Sequence, residues 1–416
     1  MRPRTLDMVN ARRQGREGVA LLVALLFIVL LTVLVVEFCY EASVDASLVE
    51  SGETDADAYI AARSAVASAL ALLAADVRDT TTTGGTSQSN SAQFDSEQDV
   101  WFTRREDSLP AHQEINDSVM MWNVDDEYGK LNLSALIVKQ NDDAASENEF
   151  LIEALRQFLL ARGQALGIEG DPTDAILDWI DGPNNGDDNE ETRTEGAESD
   201  YYESLEVPYA CKNGPMDSIE ELLLVKGMTP DMYFGDPEIK DSDGTPMRPV
   251  SEYLTVRGNR RGRVNINTAP REVLAAVAEA ATKVGGQAVD AGAIITARTS
   301  QPFQDEKSIT DQNMMITDAP RQQASGDAGG GGDNGSPPRG IGRGSTGTPT
   351  AAGTGRSMFV VASRVFRIQG DGFSGDTQVR IEAFVRRNAQ VQNTGQTTAT
   401  TTQNQLFEIL DWRVIR

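Results

Sequence analysis

Between Asp178 and Asp200 the chain carries nine carboxylates and one arginine. They are Asp178, Asp181, Asp187, Asp188, Glu190, Glu191, Glu195, Glu198 and Asp200 against Arg193. Asn184, Asn185 and Asn189 add neutral oxygens. Carboxylates crowded this closely repel one another unless water or a cation neutralises them. Oxygen-only ligands on a loop suit calcium, which takes roughly 6–8 of them. The spacing from Asp181 does not follow the twelve-residue helix–loop–helix calcium loop. A solvated acidic loop is the alternative, and composition leaves both open.

Other chemistries lack their residues. His112 is the single histidine, so multi-histidine metal sites are excluded and a Ser-His-Asp system would have to run through it. It sits in Leu109-Pro110-Ala111-His112-Gln113-Glu114, which reads as a polar turn. Cys39 and Cys211 are too few for a disulfide framework or a zinc cluster. Gly342-Arg343-Gly344-Ser345-Thr346-Gly347 matches a dinucleotide fingerprint by letters, but no strand precedes it and no helix follows. The formal net charge of −26 opposes non-specific nucleic-acid binding, which needs Lys and Arg to replace counterions. The chain reads as non-enzymatic.

The amino terminus sets the compartment. Residues 1–18 hold Arg2, Arg4, Arg12, Arg13 and Arg16 against Asp7 and Glu17. The run Val19–Val36 has no charge and one polar residue, Thr32. At ~1.5 Å per residue it spans roughly 27 Å as a helix, close to a bilayer's hydrocarbon core. Positive charge before the run and Glu37, Glu41 and Asp45 after it keep the leader cytoplasmic and send the C-terminal bulk to the periplasm. The run is longer than the ~7–15 apolar residues of a cleaved secretory signal, and no small-residue cleavage site follows it.

The order Arg12-Arg13-Gln14-Gly15-Arg16-Glu17-Gly18 before Val19-Ala20-Leu21-Leu22-Val23 resembles the leader of type IV pilins and pseudopilins. There a prepilin peptidase cuts on the cytoplasmic side and leaves the helix attached. The resemblance places the cut between Gly18 and Val19, with Gly15 as second candidate and Glu17 a departure. The fifth residue after the cut is Val23, where most such proteins carry Glu. Val23 cannot pair with a neighbour's amino terminus, which suits a filament tip; a plain hydrophobic anchor is the alternative.

Helical composition continues through residues 41–77, with Val44, Leu48, Val66, Leu70 and Leu73 near helical spacing and Gly52 as a plausible bend. Val100-Trp101-Phe102 and Ser118–Val124 read as strands. Residues 147–300 read as mainly helical, with amphipathic Phe150–Leu160, a capped helix from Asp171-Pro172-Thr173-Asp174, another over Asp217–Gly227, and a hairpin formed by the helix at Thr268–Leu274 with Ala293–Arg298. Residues 326–355 are glycine-rich, a flexible-loop composition. Met358–Ile368, Thr377–Arg386 and Leu406–Arg416 alternate apolar and polar residues as an antiparallel meander, with Gln390–Gln405 a loop.

The expected fold is therefore α+β: a long N-terminal helix packed on an antiparallel sheet, with a large all-α domain inserted between strands. The expected divisions are a leader at 1–18, a transmembrane helix at 19–36, and helix and first strands at 37–135. An inserted helical domain follows at 136–310, a glycine-rich loop at 311–356 and closing strands at 357–416.

Several motifs together resemble the minor pseudopilin K family (GspK) of type II secretion systems. They are the leader and apolar helix from Gly18 to Val36, Glu127-Tyr128-Gly129-Lys130-Leu131-Asn132-Leu133, and Asp178-Trp179-Ile180-Asp181-Gly182. With them stand Gly196-Ala197-Glu198-Ser199-Asp200-Tyr201-Tyr202, Ile219-Glu220-Glu221-Leu222 with Val225-Lys226-Gly227, and Val264–Leu274. The resemblance implies a pilin-like fold with a helical insert, and a tip complex with the I-type and J-type minor pseudopilins above the major pseudopilin. It also implies calcium near the acidic loop, with Asp181, Glu198 and Asp200 carried over by motif and Asp187 and Asp188 beside them. The stretch Asp187–Glu195 and the glycine-rich loop depart from the family pattern.

The rival reading is a membrane-anchored, competence-type DNA-binding protein. Val264-Asn265-Ile266-Asn267-Thr268-Ala269-Pro270 and the hairpin through Arg298 resemble helix-hairpin-helix repeats, which set backbone amides and nearby cations on phosphates. Asp290 after the turn and the acidic total weigh against it. Salt-sensitive gel retardation would favour it.

Overall fold

The computed structural model describes residues 6–82, 94–102, 111–115, 118–138, 146–182, 192–240, 244–317, 357–388 and 406–415. Helix α1 spans Leu6–Thr82. It contains no proline, and its hydrogen bonding continues through Gly52, where the sequence suggested a bend. Its first half leaves large apolar side chains open, among them Leu26 and Val36 at 67% and 62% exposure. The second half buries Ala58, Ala62, Ala65, Val66, Ala69 and Leu73.

Two strands follow, β1 (Ala111–Ile115) and β2 (Ser118–Asp126). The chain then leaves for residues 127–364. Strands β3 (Leu131–Asn132) and β6 (Leu254–Thr255) pair in parallel there. So do β7 (Val264–Asn265) and β8 (Phe359–Val360). Strands β4 (Ile137–Val138) and β5 (Ser146–Glu147) pair antiparallel. Around these ladders lie α2 (Glu149–Leu166), α3 (Thr173–Ile180), α4 (Ser199–Glu203), α5 (Pro230–Phe234), α6 (Arg271–Lys283), α7 (Ala291–Ser300) and α8 (Glu306–Asp311). The chain closes with β9 (Val365–Ser374), β10 (Thr377–Arg387) and β11 (Phe407–Ile415).

The main sheet runs β1-β2-β9-β10-β11, every pair antiparallel. Strands β2 and β9 are neighbours although the insert separates them in sequence. The expected α+β order of helix, strands, insert, strands is the one observed. Along β9 and β10 alternate residues are apolar, so Phe366, Ile368, Val379, Ile381 and Ala383 turn one face toward α1. Gly370 and Gly372 let the helix backbone reach the strand. A Cβ on Gly372 would stand 2.0 Å from the Ala58 carbonyl oxygen, and one on Gly370 2.6 Å from that of Ala62.

Within the insert, α2 and α6 pack face to face through Leu151, Leu155, Leu159, Val273 and Val277. Asn148 caps α2, accepting from the Leu151 amide at 3.2 Å, and Gly167 ends it at φ 68°. The helix expected over Asp217–Gly227 is a 3-10 turn, Ile219–Leu224, held by a Ser218–Glu221 capping box. The strand expected at Val100–Phe102 is instead helical. The Phe102 amide donates to the Asp99 carbonyl at 2.9 Å, and Trp101 packs edge-on against Phe366 at 5.3 Å. Three consecutive apolar residues carry no period, so their conformation is set by the contact they make. The glycine-rich and Thr/Gln-rich loops lie outside the described residues, apart from their edges.

Candidate functional site

Helix α3 presents Asp178 and Trp179 to the interior and ends at Asp181, whose amide donates back to the Leu177 carbonyl. Asp178 is fully buried. The Arg193 guanidinium answers it: Nη1 donates to Asp178 Oδ1 and, at 2.7 Å, to Asp181 Oδ2, while Nη2 donates to Glu147 Oε1 at 2.6 Å. Burial pushes the Asp178 carboxyl above its ordinary value against the pull of Arg193. Burial also works against the charge of Arg193, but its hydrogen bonds to Asp181, Glu147 and Asp178 together hold it above its usual range. Gly196 makes room for this knot, since a Cβ there would lie 1.8 Å from Asp178 Oδ2.

Three of the sequence motifs meet here. Trp179 stacks edge-on with Tyr202 at 5.1 Å and donates from Nε1 to Glu221 Oε2 at 3.4 Å. The Lys226 ammonium donates to the Gly196 carbonyl at 2.8 Å and stands over the Tyr201 ring at 5.2 Å. The motif at 196–202 is thus clamped between α3 and the 219–227 turn. Both ends of the acidic loop are fixed on one aromatic base. Glu198 is buried at the start of α4, and Asp200 is exposed in its first turn.

The five proposed ligands are therefore distributed as follows. Asp181 pairs with Arg193, and Glu198 and Asp200 lie at the loop's far root. Asp187 and Asp188 lie outside the described residues. Among the described residues, Asp181, Glu198 and Asp200 do not form a three-carboxylate cluster. The grouping that does is Asp76, Asp95 and Asp99, with one oxygen from each within 4.8 Å of the others. Arg387 lies against that group, donating from Nη2 to Asp95 Oδ2 at 2.5 Å. Sequence reading missed this cluster, because its members lie on α1 and the following segment, and the arginine against them lies on β10. At the acidic loop the donors are hard oxygens of the kind calcium takes, and Arg193 puts positive charge where two of them converge.

The remaining motifs make a joint between sheet and insert. Asp126, at the end of β2, accepts from the Tyr128 amide at 2.8 Å, Asn265 Nδ2 at 3.1 Å and Thr268 Oγ1 at 2.6 Å. Burial raises its carboxyl to about 6 despite these bonds. Beside it, buried Arg367 donates to Asp125 at 2.6 Å and Glu252 at 2.8 Å, and Lys130 to Glu127 at 2.6 Å. These residues fasten the fold.

The DNA-type hairpin is present as α6 and α7, but its groups are already engaged. Asp290 accepts from the Gly292 and Ala293 amides at the start of α7, at 3.2 and 3.0 Å. Buried Arg298 donates to the carbonyls of Ile266 and Ala269. At the other end of the molecule, Val19 and Val23 lie on the open half of α1, at 60% and 45% exposure, and the Gly18 backbone is helical. The window of α1 near the N-terminus has a mean hydropathy of 3.4 and is 0% buried, which fits a single-pass membrane anchor.

Residues 129–234 match the family model of type II secretion system protein K. The chain is 27% identical over 316 residues to the type II secretion system protein K of Aeromonas hydrophila, covering 73% of this chain and 82% of that one. It is also similar to a chain in the crystal structure of the GspK–GspI–GspJ complex of enterotoxigenic Escherichia coli. That likeness has a TM-score of 0.49 and 14% identity, covering 88% of this chain and 99% of the other. By its matched domain and its relative of comparable length, the chain is similar to the type II secretion system protein K family.

Proposed function

We propose that this chain is a non-enzymatic minor pseudopilin that caps the tip of the type II secretion pseudopilus and assists protein export across the outer membrane. The observation that carries the reading is one continuous helix with an open apolar half and an alanine-rich half packed on a sheet. Prepilin peptidase cuts between Gly18 and Val19 and leaves the stem attached. The stem sits first in the inner membrane and then among the stems of neighbouring subunits, with the bulk of the chain in the periplasm. Val23, unable to supply the usual carboxylate, suits a subunit with no neighbour above it. I-type and J-type minor pseudopilins are its immediate partners, and the major pseudopilin lies below them.

Calcium is part of the proposal, held by Asp181, Asp187, Asp188, Glu198 and Asp200. Its support is the charge imbalance of the loop, where one arginine faces nine carboxylates. The ion would neutralise the remainder, and Arg193 would share Asp181 with it.

Immunogold labelling of assembled filaments tests the tip assignment. Label at one end is expected, and label spread along the shaft would refute it. Thermal unfolding of the full chain with millimolar calcium and with EGTA tests the ion. A higher melting temperature with calcium is expected, lost in an Asp181→Asn, Glu198→Gln variant; identical curves would remove calcium from the account.

A further inference from the structure

The segment between β6 and β7 reads Arg257-Gly258-Asn259-Arg260-Arg261-Gly262-Arg263. The parallel pairing of β7 with β8 brings Arg364 beside it, and the end of β10 adds Arg386. The six arginines line one open cleft of about 1000 Å³. Three of them have carboxylate partners: Arg257 pairs with Asp411 at 2.9 Å, Arg386 with Glu408 at 3.1 Å, and Arg263 with Glu306. Arg260, Arg261 and Arg364 are exposed, and no ion pair engages them among the described residues. Burial raises the Tyr128 hydroxyl, while the positive charges of Arg364, Arg386 and Arg260 act on it in the opposite sense, so three guanidiniums from three segments bear on one point.

A chain with net charge −26 thus gathers cations in one place, against their mutual repulsion. Such a concentration is stabilised by an anion that arrives from outside. Guanidinium forks match carboxylates in paired hydrogen bonds. The cleft is at the upper end of the size range for ligand pockets, more than a lone inorganic ion needs. Its walls also carry Val256, Val360, Val361 and Leu410, which suit aliphatic side chains between the charges. The acidity of the whole chain repels a long polyanion and leaves a short acidic segment as the better fit.

We infer that this cleft docks an acidic peptide segment of a partner protein, carboxylates on the arginines and aliphatic side chains on the valines. Complementary charge of this kind steers encounter and fixes register. The inference does not depend on the tip reading, since it uses the cleft alone.

The test uses the full chain in a non-ionic detergent and a fluorescein-labelled ten-residue peptide of alternating Glu and Val. Its Gln–Val counterpart and a ten-nucleotide single strand serve as comparisons, all read by anisotropy. The Glu–Val peptide is expected to bind at least tenfold tighter than the Gln–Val peptide, and to weaken as salt rises. An Arg260→Glu, Arg261→Glu, Arg364→Glu variant, changed only at exposed positions, should lose at least tenfold in affinity. Arg380→Glu, outside the cleft, should leave affinity unchanged. Equal binding of the two peptides would overturn the inference, as would binding indifferent to the triple reversal. Tighter binding of the oligonucleotide would assign the cleft to nucleic acid and overturn it as well.

Discussion

The two halves of α1 are one helix written for two surroundings. From Val19 to Tyr40 the side chains are mostly wide and branched, and all of them are open. From Ala58 to Leu73 the buried positions are mostly alanine, lying on a strand that supplies glycines. Lipid tails or neighbouring stems adapt to any apolar shape, so that half is constrained in composition only. A strand backbone is a fixed neighbour, and the approach to it must be cleared atom by atom. Apolar sequence thus has two grammars here: volume where the partner is fluid, and absence of volume where it is rigid.

The strongest way to break this contrast is Gly372→Val. Its Cβ would meet the Ala58 carbonyl, so the helix must lift off β9. A loss of about 3 kcal/mol or more is expected, read as the urea midpoint of the purified chain. An unchanged midpoint would mean that the helix already stands off the strand. In the other half, Leu26→Arg should leave that midpoint unchanged but cost about 3 kcal/mol in membrane insertion, read by carbonate extraction.

A third measurement asks how far the dry interior reaches beyond the helix. Asp126 ends β2 of the same sheet, and its folded value, about 6, exceeds the ordinary 3.8. Folding therefore takes up a proton between these values. Its contribution makes the chain more stable as pH falls from about 6 toward 3.8, on the order of 2 kcal/mol. Comparing urea midpoints of the native chain and Asp126→Asn across that range should show this component missing from the variant. Parallel pH profiles would place Asp126 in water. The smallest effect is expected from Leu26→Ala, under about 0.5 kcal/mol on global unfolding, because Leu26 stands open among the described residues.

Much of the frame was legible because it is periodic. The open stem is a run too long and uncharged to mistake, and β9 and β10 alternate as written; β11 forms where expected, but its apolar Ile409, Val414 and Ile415 stay exposed at the sheet edge. The motif Asp178–Gly182 could be recognised, but not the reason for its neighbours. Arg193 looked like a lone cation in an acidic stretch, yet it is the counter-charge of a fully buried Asp178. Gly196 was only the first letter of a motif, yet it yields space to that carboxylate. The arginine cleft was not read from the sequence, although four of its members stand together in Arg257–Arg263. Its other members, Arg364 and Arg386, arrive through β7–β8 pairing and the end of β10, contacts that local spacing does not encode. Val100–Phe102 failed for the opposite reason, being too short to carry any spacing.

The insert departs from β2 after Asp126 and returns at Val365, and Asp126 is paired with Phe366 across the ladder. Tension along the chain therefore short-circuits through the hydrogen bonds between these two strands and bypasses everything between them. The chain enters β2 at Ser118 and leaves β9 at Ser374, which are paired at one end of the ladder, so such a pull opens it from that end, one bond pair at a time. Residues 127–364 hang from the sheet as a side branch, free to change in shape and size without lengthening that route.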